Sequence, residues 1–248
     1  MKNLILDKLD DIEKQNNVRI LYACESGSRA WGFASPDSDY DVRFIYVHPI
    51  DYYLSIDDQR DVVELPINDL LDINGWELRK AFRLLRKSNA PLCEWLQSPV
   101  VYQKDENFLS ELREQMNHYF SPRAMMHHYI SMTKNVLEND LSGEQVRLKK
   151  YFYALRPILA SLWIAKYNET PPMEFGTLRE MLNSDFNSIV DGLLTQKIKV
   201  DEKFMINTIP KLNDWIKSQV DFCEKNVPER EPKPDSNSLN EIFRRYAK

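Results

Sequence analysis

Residues 27–44, GSRAWGFASPDSDYDVRF, open on Gly27-Ser28 and close on Asp39-Tyr40-Asp41 at the head of an apolar run. Tyr40 to Val47 reads as a strand, so Asp39 and Asp41, two apart, project from one face about 7 Å apart along the backbone. Two carboxylates so placed can share a hard divalent cation, which prefers oxygen ligands and completes its shell with water and substrate phosphates. Gly27 lacks a Cβ, which lets the backbone turn tightly and approach a ligand. Ser28 adds a hydroxyl, and both residues offer amide donors to a phosphate. Arg29 is the nearest cation that can add charge there. The ten residues from Arg29 to Ser38 leave room for a helical turn and a return loop.

Upstream, Leu4, Ile5, Leu9 and Ile12 fall at helical spacing, and Val18 to Ala23 is a β-prone run after the polar Asn16-Asn17. The order is therefore helix, strand, Gly-Ser turn, spacer, and Asp-x-Asp on a second strand, as a metal-dependent triphosphate site requires. Downstream, Asp61 to Ile67 and Leu70 to Ile73 are predicted short strands, Asn74-Gly75 a turn, and Trp76 to Arg86 a helix burying Leu78, Phe82 and Leu85. Beyond about Glu106 strand signals largely stop. Helical patterns cover Ala124 to Leu137, Gln145 to Tyr167, Leu178 to Leu182 and Asp201 to Lys225, with Ser121-Pro122 as a helix start. The expected class is α+β, a small mixed twisted sheet with flanking helices followed by a helical domain. Its expected divisions are residues 1–105, 120–228 and a C-terminal arm at 229–248 that holds prolines and a short helix-like end.

With 248 residues the chain can bury a sizeable core. A formal net charge of −5 argues against a strongly basic nucleic-acid-binding coat and confines any polyanion binding to one local site. The three cysteines, Cys24, Cys93 and Cys223, show no short repeated spacing, which excludes both a disulfide framework and a thiolate metal site. Met1 to Gln15 lacks the apolar stretch and cleavage site of a secretory peptide, and no stretch is long and apolar enough for a membrane span. The expectation is a soluble cytoplasmic protein without a membrane partner.

From Gly27-Ser28 through Asp39-Tyr40-Asp41 the chain resembles the hG[GS]…[DE]h[DE] pattern of the polymerase-β nucleotidyltransferase superfamily. GSRAWGFASPDSDYDVRF, DVVELPI, DINGWELRKAFRLLRKSNAPLCEWLQSPVVY and KKYFYALRP are similar to one branch, the bacterial and phage nucleotidyltransferases of the RNA-repair-pathway, RNA-ligase-associated type. The resemblance implies Mg²⁺-dependent transfer of a nucleoside monophosphate from an NTP, with Mn²⁺ as a substitute. Gly27 and Ser28 would contact the β and γ phosphates, and Asp39 and Asp41 would hold two metals. It also implies a third carboxylate on a later strand, near one metal and able to help deprotonate the acceptor hydroxyl. Asp72 fits that place, with Glu64 and then Asp69 as alternatives.

Lys149, Tyr153 and Arg156, at i, i+4 and i+7, form a stripe beside the apolar Phe152, Leu155, Leu159 and Leu162. The stripe either gives cations to the triphosphate and an aromatic face to the base, as second-domain helices do in similar enzymes, or is a solvated basic face. Arg79, Arg83 and Arg86 make a second stripe, which either tracks an acceptor nucleic acid or only solvates its helix. Trp31 and Phe33 wall the nucleotide pocket or pack the spacer onto the sheet. The adjacent His127-His128 cannot form an i, i+4 zinc pair. The acceptor, whether RNA, protein or small molecule, stays open. The alternative function is a non-catalytic nucleotide-binding or regulatory module with the same fold; a purely structural helical protein leaves the first half unexplained.

Overall fold

A computed structural model describes residues 1–57, 59–66, 70–230, 232 and 234–248. The elements run α1 Lys2–Asn16, β1 Arg19–Ser26, α2 Gly27–Trp31, β2 Tyr40–Val47, α3 Ile50–Tyr53, β3 Val62–Glu64, β4 Leu71–Glu77, α4 Leu78–Leu85, α5 Ala90–Leu96, β5 Val101–Lys104 and α6 Glu106–His118. They continue with α7 Pro122–Asn139, β6 Gln145–Arg147, α8 Leu148–Tyr167, α9 Phe175–Leu178, α10 Ser184–Lys197, β7 Met205–Asn207, α11 Pro210–Lys225 and α12 Asn237–Tyr246, with a 3₁₀ turn at Arg179–Met181. Two compact units result. The first comprises Met1–Gly27, Asp39–Tyr119 and Pro232–Lys248, and the second Ser28–Ser38 and Phe120–Glu231. Among the described residues no helix is long and apolar enough to cross a membrane.

The first unit is built on a five-stranded mixed sheet in the order β3-β4-β2-β1-β5. β2 and β4 are parallel and every other pair is antiparallel. A parallel pair needs a crossover connection, here through α3 and β3, and it sets the starts of β2 and β4 at the same end of the sheet. β1 is buried at every residue but Arg19, so the sheet must be covered on both faces. Ile5, Leu9 and Ile12, spaced to share one stripe of α1, pack on Val42, Phe44, Tyr46 and Ile73. Each side chain so buried contributes about 1.5–3 kcal/mol relative to exposure. Helix α1 then ends at Asn17, whose left-handed φ of 48° suits asparagine. Helices α4, α5 and α6 also pack against strands of the sheet.

The expected turn at Asn74-Gly75 does not occur, because β4 runs unbroken through both residues. A Cβ on Gly75 would lie 2.1 Å from the Phe44 ring, so this glycine provides clearance for an aromatic on the neighbouring strand. The helix begins at Leu78 instead, where Glu77 caps the Arg79 and Lys80 amides and accepts the Tyr53 hydroxyl at 2.5 Å. Residues 103–122 contain α6, which buries Phe108, Leu109, Leu112 and Met116. The end of the chain rejoins this unit: α12 buries Leu239 and Ile242, and its Phe243 ring meets Tyr53 and Phe82.

In the second unit α7, α8 and α11 pack on one another, and β6 and β7 pair antiparallel. Ser121 caps α7 through the Ala124 amide, as the Ser-Pro pair predicts. Gln145–Arg147 and Met205–Asn207, both inside predicted helical stretches, are short strands that pair across 58 residues, a contact that local periodicity does not reveal. Helix α8 is buried nearly all round and encloses Pro157.

Candidate active site

The acidic residues gather where β2 and β4 begin. In the parallel register Asp41 lies opposite Asp72, so a pair that is 31 positions apart in sequence becomes neighbouring carboxylates. Arg43, two residues along β2 and thus on the same face, reaches back between them. Its Nη2 donates to Asp41 Oδ1 at 2.9 Å and to Asp72 Oδ2 at 2.7 Å, and its Nη1 donates to the Asp72 carbonyl at 2.9 Å. The three side chains are only 18%, 21% and 22% exposed, so the bridge is less screened than a surface ion pair.

Gly27 closes on this pair from β1. Ser26 is the register partner of Asp41, and the next residue, Gly27, has φ +59°. A Cβ there would lie 1.8 Å from Asp41 Oδ2, so the glycine serves both the left-handed turn and the approach of the carboxylate to the backbone. Behind it stands Glu25, 1% exposed, whose Oε1 accepts the Asp41 amide at 2.9 Å and whose Oε2 accepts the Tyr102 hydroxyl. Burial first, then the bond to this carboxylate, raises the Tyr102 phenol above its usual range and keeps it a donor. The Ser98 hydroxyl donates to the Glu25 carbonyl at 2.6 Å, which ties the end of β1 to the segment before β5.

Asp39 directly precedes β2, partly exposed, and alternation places it on the face of Asp41. The Tyr40 amide donates to the Leu70 carbonyl at 2.9 Å and starts the β2–β4 ladder there. Glu64 is exposed on β3 opposite Asn74, two register steps beyond the Asp41–Asp72 pair, and its nearest partner is the Asn74 amide at 3.4 Å. Asp69 lies outside the described residues. Carboxylate oxygens suit a hard cation, and the Arg43 guanidinium between Asp41 and Asp72 demonstrates that this position accepts positive charge. Among the described residues no three His, Cys, Asp or Glu side chains converge tightly enough to hold a metal by themselves. All three cysteines are free and buried, and burial pushes the Cys24 thiol up to about 12, so it packs as a protonated side chain.

The spacer belongs to the second unit, where its own side chains fold it. Ser28 Oγ donates to Ser38 Oγ at 3.1 Å, Ser38 Oγ donates to Glu202 at 2.8 Å, and Arg29 donates to the Ser38 carbonyl at 2.6 Å. Phe33 is buried, stacked on Phe152 with centroids 5.1 Å apart and edge-on to Phe175 at 5.5 Å. It therefore packs the spacer, but onto helices α8 and α9 rather than onto the sheet. Trp31 lies edge-on to Tyr153 at 5.8 Å, and the Arg156 guanidinium sits 4.6 Å from its ring centroid. Arg156 is 3% exposed and donates to the Met173 carbonyl. Lys149 pairs with Glu202 at 2.7 Å; burial opposes the charge on Glu202, but hydrogen bonds from Lys149 and Ser38 outweigh it and hold the carboxyl below its usual range. In their own unit the Lys149, Tyr153 and Arg156 stripe thus surrounds the spacer.

Glu25, Arg43 and Tyr102 are the members that sequence reasoning missed. Arg43 carried a signal, since it shares the two-residue alternation of Asp39 and Asp41. Glu25 and Tyr102 carried none, because their pairing spans 77 positions and depends on the β1–β5 register.

A family model described as "RNA repair pathway DNA polymerase beta family" (RlaP) matches residues 1–245. The chain is 44% identical over 247 residues to "Uncharacterized protein YcgL" of Bacillus subtilis (strain 168), covering 98% of this chain and 95% of that protein. A solved structure of a nucleotidyltransferase-like protein from Exiguobacterium sibiricum 255-15 aligns with 95% of this chain and 78% of its own, at 13% identity and a TM-score of 0.31. On the match along almost its whole length, this chain belongs to the RNA repair pathway DNA polymerase beta family.

Proposed function

We propose that the chain transfers a nucleoside monophosphate from an NTP to an acceptor hydroxyl and releases pyrophosphate. The observation that supports this most is the meeting of the Gly27 turn, Asp41 and Asp72 at one end of the sheet. Asp39 and Asp41 would hold Mg²⁺ or Mn²⁺, a hard cation suited to carboxylate oxygens. A cation held there would supply Lewis-acid polarisation of the α-phosphate and charge compensation for the leaving pyrophosphate. The Gly27 and Ser28 amides and the Ser28 hydroxyl take phosphate oxygens. The acceptor oxygen forms a bond to the α-phosphorus while the bond from that phosphorus to the β-phosphate's bridging oxygen breaks. The acceptor's proton passes to the Asp72 carboxylate. Arg43, which holds Asp41 and Asp72 here, would be a donor for a phosphate oxygen once those carboxylates are otherwise engaged. Glu25 and Tyr102 act on Asp41 through its backbone and are positioning residues.

The non-catalytic alternative draws on Arg43, because a guanidinium fixed between the two carboxylates is also what a module without turnover would keep. Incubation with each α-labelled NTP and Mg²⁺ against RNA, protein and small-molecule acceptors separates the two. Transfer is expected with the natural chain and not with Asp39→Ala or Asp41→Ala. Label that reaches an acceptor in both variants would end the transferase assignment of this site.

A further inference from the structure

The far end of the same sheet carries a second constellation, wholly within the first unit. Arg79, Arg83 and Arg86 lie on one stripe of α4 and its C-terminal cap, spanning about 10 Å at the helical rise. α12 packs beside α4, and between the two helices lies a pocket of about 450 Å³ walled by these three arginines with Phe243, Ser236 and Asn240. That volume lies in the range of small-molecule sites. Among the described residues no carboxylate lines it. The Arg79 guanidinium is held between aromatic faces, 5.0 Å from the Tyr53 centroid and 5.4 Å from that of Phe243. On the same two helices Lys80 is paired with Asp61 and Arg245 with Glu111. Among the described residues no salt bridge engages Arg83 or Arg86, and both are exposed.

Three closely spaced guanidinium groups without a carboxylate are costly on a helix unless an anion answers them, since like charges at i, i+4 repel. Guanidinium groups bind phosphate oxygens in pairs and stack on base faces, and the half-buried Phe243 ring offers a second stacking surface. A duplex presents no free base face to such a pocket, whereas a single strand does. We propose that the α4–α12 pocket binds one nucleotide of a single-stranded nucleic acid, its base against Phe243 and its flanking phosphates on Arg83 and Arg86. It is a local basic site on a chain of net charge −5. From Asp72 to Glu77, just before α4, strand β4 runs roughly 17 Å, a length that about five stacked nucleotides cover. A strand held here can therefore present its end to Asp72, a role that rests on the nucleotidyl-transfer proposal, although binding itself does not.

The test is fluorescence anisotropy of the full chain with a labelled single-stranded RNA 20-mer across a salt series. Single-stranded DNA, duplex RNA and free mononucleotide serve as competitors. Arg83→Gln with Arg86→Gln is expected to weaken binding at least about 10-fold and to lower the salt slope by about 1.4, the loss of two phosphate contacts. Arg83→Lys with Arg86→Lys should restore the slope, and circular dichroism checks that each variant is folded. Asp41→Asn should bind the strand as the natural chain does, so loss of transfer and loss of binding are told apart. Unchanged affinity and slope in the glutamine variant would overturn the proposal. So would a preference for duplex, or equal competition by mononucleotide.

Discussion

The two ends of the β2–β4 pair differ in how their charges are held. At the start of the strands Asp41 and Asp72 are fixed by register, bridged by Arg43, and backed by Glu25 and Tyr102. Beyond the other end Arg79, Arg83 and Arg86 stand exposed on a helix and its cap, Arg79 against the rings of Tyr53 and Phe243. Strand register places a charge to within an ångström and so suits reacting atoms, which tolerate little misplacement. A helix face with long mobile side chains suits a flexible polyanion, for which adaptable contacts suffice. The net charge of the chain conceals this separation.

That contrast can be broken most decisively at the acidic end. Asp41→Asn should lower nucleotidyl transfer by at least about 1,000-fold in steady-state label incorporation, because it removes the carboxylate that touches the Gly27 turn and is proposed to hold the cation. Asp72→Asn should lower kcat by about 100-fold or more with little change in the KM for NTP, as expected of a proton acceptor that does not hold the donor. Gly27→Ala places a Cβ 1.8 Å from Asp41 Oδ2 at φ +59°, so both strain and clash act. Urea denaturation should register a cost of about 1–3 kcal/mol along with loss of activity.

Arg43→Ala should lower the stability of the free protein by about 1–2 kcal/mol, since it leaves two facing carboxylates without a cation. Added Mg²⁺ should restore most of that loss, and a melting temperature that does not respond would separate the carboxylate pair from cation binding. At the basic end Arg83→Gln and Arg86→Gln should change stability by less than about 0.5 kcal/mol each in the same titration. A larger effect would mean that these arginines hold the fold together.

Legibility followed the range of the interactions. Gly27, Asp39 and Asp41 could be found because a turn, a spacer and a two-residue alternation are local patterns. Helices α1, α7, α8 and α11 were likewise visible in apolar spacing and Ser121-Pro122 marked the start of α7, whereas α10 was not read from the sequence. The proximity of Asp72 to Asp41 needed the parallel register, which the resemblance suggested and periodicity alone did not contain. Asn74-Gly75 misled because the pair is a strong turn signal in isolation, while packing under Phe44 uses the same glycine inside a strand. The basic stripe of α4 was plain in sequence, but its opposite wall comes from α12, more than 150 residues later. The spacer presents a similar case: its Trp31 and Phe33 find their ring partners on α8 and α9.

On the proposed function Asp39 and Asp41, beside the Gly27 turn, receive the cation that carries an NTP. Crystals grown with Mn²⁺ and a nonhydrolysable NTP test it most directly through the anomalous signal of the metal. The account predicts a peak about 2.0–2.6 Å from carboxylate oxygens of Asp39 and Asp41, with Arg43 withdrawn from the pair and the triphosphate at Gly27-Ser28. Metal and triphosphate bound elsewhere, with Arg43 still bridging Asp41 and Asp72, would contradict it.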